Sequence, residues 1–411
     1  METMIARCCG LDVHKAQLTA CVRLLIEGVV TEIVETFGTT TPDLLALRDW
    51  LKAHAVTDVA MESTGVYWKP VYYMLEDEFE VRLVNAAHIK HVPGRKTDTI
   101  DAAWIAQLLS CGLLRGSFVP PKPIRRLRDL TRFRKALIEE RSRAVNRLHK
   151  LLEDAGVKLA CVATDVMGVS GRAMMRALID GNADPEALSE LAKGKLRAKL
   201  PELRKALTHR FTDHHAFLLE RMLAHIEELE SDIDAISRRI DEEIRPFEAA
   251  VELLRSIPGV ERRAAEAILA EIGTDMSVFP TAAHLASWAG LCPGQNESAG
   301  KRKSAKTRKG SKWLRKTLTE SARAAARTKE SYLSERYRRL AARRGDKKAI
   351  IAISHEILTA AWHMLSTGEL YREQGADTLR QRDQDRIRRR AISQLEKLGH
   401  KVTLEELPQA A

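Results

Sequence analysis

Short apolar runs broken by single or paired polar residues make three early β-like stretches, "RCCGLDVH" (7–14), "QLTACVRL" (17–24) and "VVTEIVET" (29–36). Such runs, rich in β-branched residues and bounded by turns, predict strands. The gaps between them are too short for crossover helices, so the sheet begins antiparallel. A helical period follows. In "TPDLLALRDWLKAHA", Leu44, Leu47 and Leu51 recur at helical spacing, with Thr41 or Asp43 near the start. A strand follows at "TDVAMES", a helix at "YWKPVYYMLED" and a strand at "EVRLVN". After a basic loop comes an alanine-rich helix, "TDTIDAAWIAQLLSCG", closed by Gly112.

The order βββαβαβα is that of a ribonuclease-H-like mixed sheet, three antiparallel strands followed by parallel crossovers. Four acids fall at telling places in it. Asp12 interrupts the apolar first strand, Glu62 ends the fourth, and Asp98 and Asp101 share the first turn of the last helix. In this topology those three elements converge at one rim. Acids in a first turn also complement the helix dipole, and a strand-end glutamate is commonly solvated. It is the joint pattern that predicts a metal site. Two unit charges about 4 Å apart repel by roughly 4 kcal/mol at an effective dielectric near 20, so four gathered carboxylates call for cations. Oxygen-only donors suit Mg²⁺, two ions per site, in a phosphodiester-cleaving arrangement.

"PPKP" (120–123) ends this part. "IRRLRDLTRFRKALIEERSRAVNRLHKLLEDAG" then reads as one long helix, with Arg125, Arg126, Arg128, Arg132 and Arg134 among many arginines and few acids, a pattern expected to contact phosphate. Leu219, Met222, Ile226, Leu229, Ile233, Ile236 and Ile240 form a heptad seam that Pro246 stops. The seam pairs with the first arm, with a second subunit, or with both. Residues 155–205 read as helical and irregular, with no function assigned. "LLRSIPGVERRAAEAILAEIG" has the shape of a helix-hairpin-helix, although Glu261 stands where a second glycine is usual, which argues against close phosphate contact. Beyond a helix ending near Ala289-Gly290, a loop carries Ser298. Cations crowd after it, including Lys301, Arg302, Lys303, Lys306, Arg308, Lys309 and Lys312, and a further helix starts near Ser311. The expected organisation is a mixed-sheet domain over 1–118, a helical coiled-coil region over 119–248, a mainly helical C-terminal domain over 249–370, and a basic helical or disordered tail over 371–411.

Composition sharpens this picture. The 411-residue chain carries a net charge of +11, which favours polyanions. Aromatic residues make up only 5 %, too few for a surface built mainly of stacking platforms. The six cysteines form no CxxC pair and read as reduced thiols. Neither His88 with His91 nor His214 with His215 has the companions a zinc site needs. No apolar run is expected to span a membrane, and the N-terminus lacks a signal-peptide core, so a cytoplasmic location is expected.

The motifs "GLDVHK", "MESTGVYW", "KTDTIDA", "SIPGV", "LASWAGLCPGQNESAGK" and "KGSKWLR" occur in an order that resembles DEDD transposases of the insertion-sequence-110 class, most of all its 1111 branch. The resemblance spans roughly residues 8 to 325. It implies a RuvC-like first domain whose acid tetrad carries over to Asp12, Glu62, Asp98 and Asp101, and a nucleophilic serine that carries over to Ser298. It also implies donor and target DNA as substrates, guidance by a structured noncoding bridge RNA, a homo-oligomer (dimer or tetramer) and a bacterial, nucleoid-associated setting. Ala299 departs from the glycine of many relatives and bears on the conformation of the loop. Two other functions fit parts of the chain: a RuvC-like junction nuclease using water, which leaves the serine idle, and a basic nucleic-acid scaffold with a degenerate tetrad.

Overall fold

The computed structural model describes residues 4–63, 65–85, 101–294, 296–298, 300–304 and 306–403. The chain forms two compact units, Met1–Val119 and Pro120–Ala411.

The first unit holds strands β1 (Arg7–Val13), β2 (Gln17–Ile26), β3 (Val29–Gly38), β4 (Asp58–Glu62) and β5 (Glu80–Val84), with helices α1 (Thr41–Ala53), α2 (Trp68–Leu75) and α3 (Asp101–Ser110). The sheet order is β3-β2-β1-β4-β5. The first three strands run antiparallel, and β4 and β5 add in parallel to β1. This is the mixed sheet that the strand order predicts. Glu27 and Gly28, both at positive φ (48° and 82°), make the two-residue turn between β2 and β3, whose twist suits a hairpin.

Alternation sends Leu11, Val13, Leu18, Ala20 and Val22 to one face, where Leu44, Leu47 and Leu51 of α1 and Val71 and Leu75 of α2 cover them. The other face is lined by Cys8, Ala60, Val84 and Cys21 and covered by α3. At Gly10 this helix comes so close that an added Cβ would lie 2.2 Å from the Ala102 carbonyl oxygen and 2.4 Å from the Ala106 amide nitrogen.

The second unit begins with α4 (Lys122–Asp154) and continues through α5 (Val169–Ile179), α6 (Pro185–Glu190), α7 (Leu200–Ala206) and α8 (Asp213–Ile244). Helices α4 and α8 lie antiparallel: Asp154 meets His215 near one end and Arg141 meets Glu230 further along. The heptad seam is therefore covered within the chain. Leu219, Ile226, Leu229 and Ile233 share one buried cluster with Leu137, Ala144 and Leu148 of α4 and Met174, Met175 and Leu178 of α5.

The rest of this unit comprises α9 (Glu248–Arg255), α10 (Arg262–Ile272), α11 (Ala282–Trp288), the hairpin β6 (Asn296–Ser298) and β7 (Lys301–Ser304), α12 (Lys312–Ala325), α13 (Tyr332–Arg344), α14 (Asp346–Thr367) and α15 (Asp377–Lys397). The expected helix-hairpin-helix is α9–α10. Its turn packs inward: a Cβ on Gly259 (φ 83°) would sit 2.4 Å from the Ser321 carbonyl oxygen of α12. Close packing on a neighbouring helix is thus what this glycine serves. Among the described residues α14 is long and apolar enough to cross a membrane by length and composition, which the sequence reading did not anticipate. It buries Ile350, Ile353, Ile357, Leu358 and Ala361 in the core of its unit.

Candidate active site

Asp12 and Glu62 each stand one position beyond Leu11 and Met61, the last pair between β1 and β4; Asp12 pairs on its other side with Thr19 of β2 and Glu62 with Val84 of β5. Both share a face with Gly10 and Ala60, two residues earlier, and that is the face that α3 covers. Asp101 is the first residue of α3, next to the Ala102 that presses on Gly10. Three acids thus occupy one end of one face of the sheet. The fourth, Asp98, lies outside the described residues.

The Asp12 carboxylate, whose side chain is 29 % exposed, lies 3.2 Å from Nε2 of His14, a partner two residues along the "GLDVH" motif. Glu62 and Asp101 are half-buried. Carboxylate oxygens with partial solvent access suit a hard, partly hydrated divalent cation. Among the described residues, however, no group of three acidic, His or Cys side chains closes a metal cage.

Two buried thiols line this face, and Cys8 donates a weak hydrogen bond to the Ala106 carbonyl. Burial pushes Cys8 up to about 12 and Cys21 up to about 11, so both stay protonated. His215 serves as part of an N-terminal cap, bonded to the Thr212 hydroxyl and close to Asp154. His88 and His91 lie outside the described residues.

Ser298 belongs to a hairpin rather than to an irregular loop. It is the last residue of β6, opposite Lys301 in β7, with Gly300 at φ 72° in the turn. Sequence reading missed the strands because three or four mostly polar residues carry no readable alternation. Below the tip, Pro293 pairs with Thr307, and the Gly294 amide donates to the Lys306 carbonyl at 3.0 Å. At the root the two legs touch: a Cβ on Gly310 would lie 2.2 Å from the Ala289 carbonyl oxygen.

The expected cations divide into two groups. Lys301, Lys306, Arg308, Lys309 and Lys312 are exposed, Lys312 lying over the Trp313 ring at 5.1 Å from its centroid. Arg302 and Lys303 are placed by their backbone on β7. On α4, Arg126 is exposed and Arg125 half-buried. Arg128, Arg132 and Arg134 do something different from the expected phosphate contact. Arg128 donates to the Ala270 and Glu271 carbonyls, Arg132 grips the Glu271 carboxylate with two hydrogen bonds (2.6 and 2.9 Å), and Arg134 pairs with Glu266 at 2.6 Å. Glu266 and Glu271 are almost fully buried in α10. A buried carboxylate needs such a partner, so these three arginines lock α4 to α10.

A ribonuclease-H-like sheet with clustered acids, joined to a helical unit that raises a serine on a hairpin, defines a class of DNA-processing enzyme. Comparison with known proteins agrees. Residues 9–156 match the DEDD transposases of the IS110 type, and residues 251–338 match the transposase IS116/IS110/IS902 family. The chain is 25 % identical over 298 residues to the transposase for insertion sequence element IS1111A of Coxiella burnetii, covering 71 % of this chain and 72 % of that protein. It is also 25 % identical over 351 residues to the putative transposase y4pF/y4sB of Sinorhizobium fredii, covering 83 % and 78 %. The chain belongs to the IS110 class of transposases and is a DNA recombinase. Membership also brings dependence on a divalent metal.

Proposed function

We propose that this transposase cuts and rejoins DNA through a covalent serine–DNA intermediate, with Ser298 as nucleophile and Asp12, Glu62, Asp98 and Asp101 holding Mg²⁺, two ions per site. The observation that carries the reading is the co-occurrence in one chain of acids at one end of the sheet and a serine at a hairpin tip. Bound Mg²⁺ supplies charge neutralisation at the scissile phosphate and at the leaving oxygen. The Ser298 hydroxyl attacks phosphorus: its O–P bond forms, the bond to the 3′ oxygen breaks, and the proton given up by serine ends on the 3′ hydroxyl. The product is a 5′-phosphoserine link whose bond energy is kept for rejoining. The exposed cations around the hairpin hold DNA and RNA backbones. The guide is a structured noncoding RNA, and the enzyme works as a homo-oligomer on the nucleoid in the cytoplasm.

Labelled DNA on a denaturing gel tests the chemistry. The wild type should yield a protein-linked strand in the presence of Mg²⁺, and Ser298→Ala should yield none while binding DNA normally. Strand cleavage without any protein adduct in the wild type would instead mean water attack, as in a junction nuclease.

A further inference from the structure

The hairpin that carries Ser298 has strands of only three and four residues, too short to hold their own direction in water. Its aim must be set at its root. There one side chain reaches both legs. Nη2 of Arg315, near the start of α12, donates to the Gly290 carbonyl (3.0 Å) on the outgoing leg and to the Thr307 hydroxyl on the returning leg.

The base from which Arg315 reaches is itself fixed. Ser311 caps α12, accepting from the Leu314 amide and donating to Oε2 of Glu271 at 2.9 Å. Glu271, with a side chain 3 % exposed, is the carboxylate gripped by Arg132 of α4. A continuous polar chain therefore runs from α4 through α10 and α12 to the hairpin root.

We infer that Arg315, acting on Thr307 and Gly290, is the positioning residue that aims the serine hairpin, with Glu271 and Ser311 as its support. The inference rests on the reading of Ser298 as nucleophile. Leverage gives it weight. Five residues separate Pro293, opposite Thr307, from Ser298, a reach of up to ~16 Å. A tilt of about 5° at the root then moves the tip by more than ~1 Å, and a misplacement of that size costs on the order of 10²-fold in rate.

The test is single-turnover adduct formation by the full-length protein at saturating DNA, reading rate constant, amplitude and half-saturating DNA concentration. Thr307→Val removes one hydroxyl and should slow the adduct step about tenfold; Arg315→Met should slow it about a hundredfold, on the scale of a small misplacement. Half-saturating DNA should stay within about twofold of wild type, since positioning differs from binding. Arg315→Lys should recover part of the rate, and adding Thr307→Val to Arg315→Met should cost nothing more, because both act through one contact. A wild-type rate constant in Thr307→Val and Arg315→Met, or a loss confined to amplitude, overturns the inference. So does a raised half-saturating concentration at unchanged rate, which would make these residues DNA contacts. Ser298→Ala runs alongside. An adduct there sinks the nucleophile and the positioning role together, whereas a silent Ser298→Ala with wild-type rates in the root variants sinks positioning alone.

Discussion

Replacing Gly10 by alanine isolates the packing that brings α3, and with it Asp101, to the acid face. The added Cβ would lie 2.2 Å from the Ala102 carbonyl oxygen, 2.4 Å from the Ala106 amide nitrogen and 3.0 Å from the Ile105 Cβ. The first two are backbone atoms of α3, so no side chain can rotate away. Gly10 is absent from the positive-φ positions, so alanine meets no backbone strain there, and on conformational entropy alone it would be favoured by roughly 0.5–1 kcal/mol. The effect is therefore one of space. Overpacking of this kind costs about 1–3 kcal/mol when the structure can shift. Restoring an ordinary contact requires α3 to move by about 1 Å, which at an active site costs on the order of 10²-fold. Gly10→Ala should thus remain folded, melt at a lower temperature and cleave DNA about a hundredfold more slowly with DNA affinity unchanged. Thermal melts beside single-turnover cleavage read both numbers. Wild-type cleavage by a folded Gly10→Ala protein would show that the distance between α3 and the sheet does not set the geometry of the acids.

Ile233 is 6 % exposed inside the α4–α8 pairing, so Ile233→Asp should lose roughly 1.5–3 kcal/mol of burial and several more for a dry charge, unfolding the arm in circular dichroism rather than releasing intact smaller species; a folded variant of unchanged melting temperature would refute this. Burial, with a smaller contribution from Arg336, holds His355 of α14 below its usual range. A group depressed in the folded state contributes stability that is full above its unfolded pKa, near 6.5, and lost as pH falls through the folded value. Stability should therefore decline from pH 7 towards 5, and His355→Asn should flatten that decline in melts across the range. Neighbouring Glu356, raised mainly by burial, works in the opposite sense, its contribution full below its unfolded pKa and lost as pH rises through the folded value, and it remains in both proteins.

The first unit was largely legible because its signals are local. Short apolar, β-branched runs separated by tight turns named β1 to β3, and the helix of Leu44, Leu47 and Leu51 buries those three residues. The order of elements then placed Asp12, Glu62 and Asp101 at one end of one face. The second unit hides its logic in long-range pairs. A heptad seam states that a face is apolar but not what covers it; here α4 and α5 do. Arg128, Arg132 and Arg134 read as free cations because the acids that take up Arg132 and Arg134 lie 139 and 132 residues away, inside an alanine-rich helix where nothing marks them as buried. Arg315, in the motif "KGSKWLR", looked like one more cation of a basic run because its partners are a backbone carbonyl and a hydroxyl, which no charge pattern marks. His14 was part of a quoted motif, yet only the fold shows its ring beside Asp12.

The seam between the two units falls at Val119 and Pro120, whereas the match to the N-terminal family signature runs on to residue 156, through the whole of α4. Heredity and folding thus divide the gene at different codons. A fragment ending at 156 would carry α4 stripped of the α8 seam, baring Leu137, Leu148 and Leu151. The complementary fragment would keep buried Glu271 without Arg132 and leave Glu266 with Arg262 but without Arg134, and an orphaned buried ion costs about 3–5 kcal/mol. Anyone grafting one transposase's cutting module onto another's should splice before the paired prolines at 120 and 121, because α4 travels with the serine half.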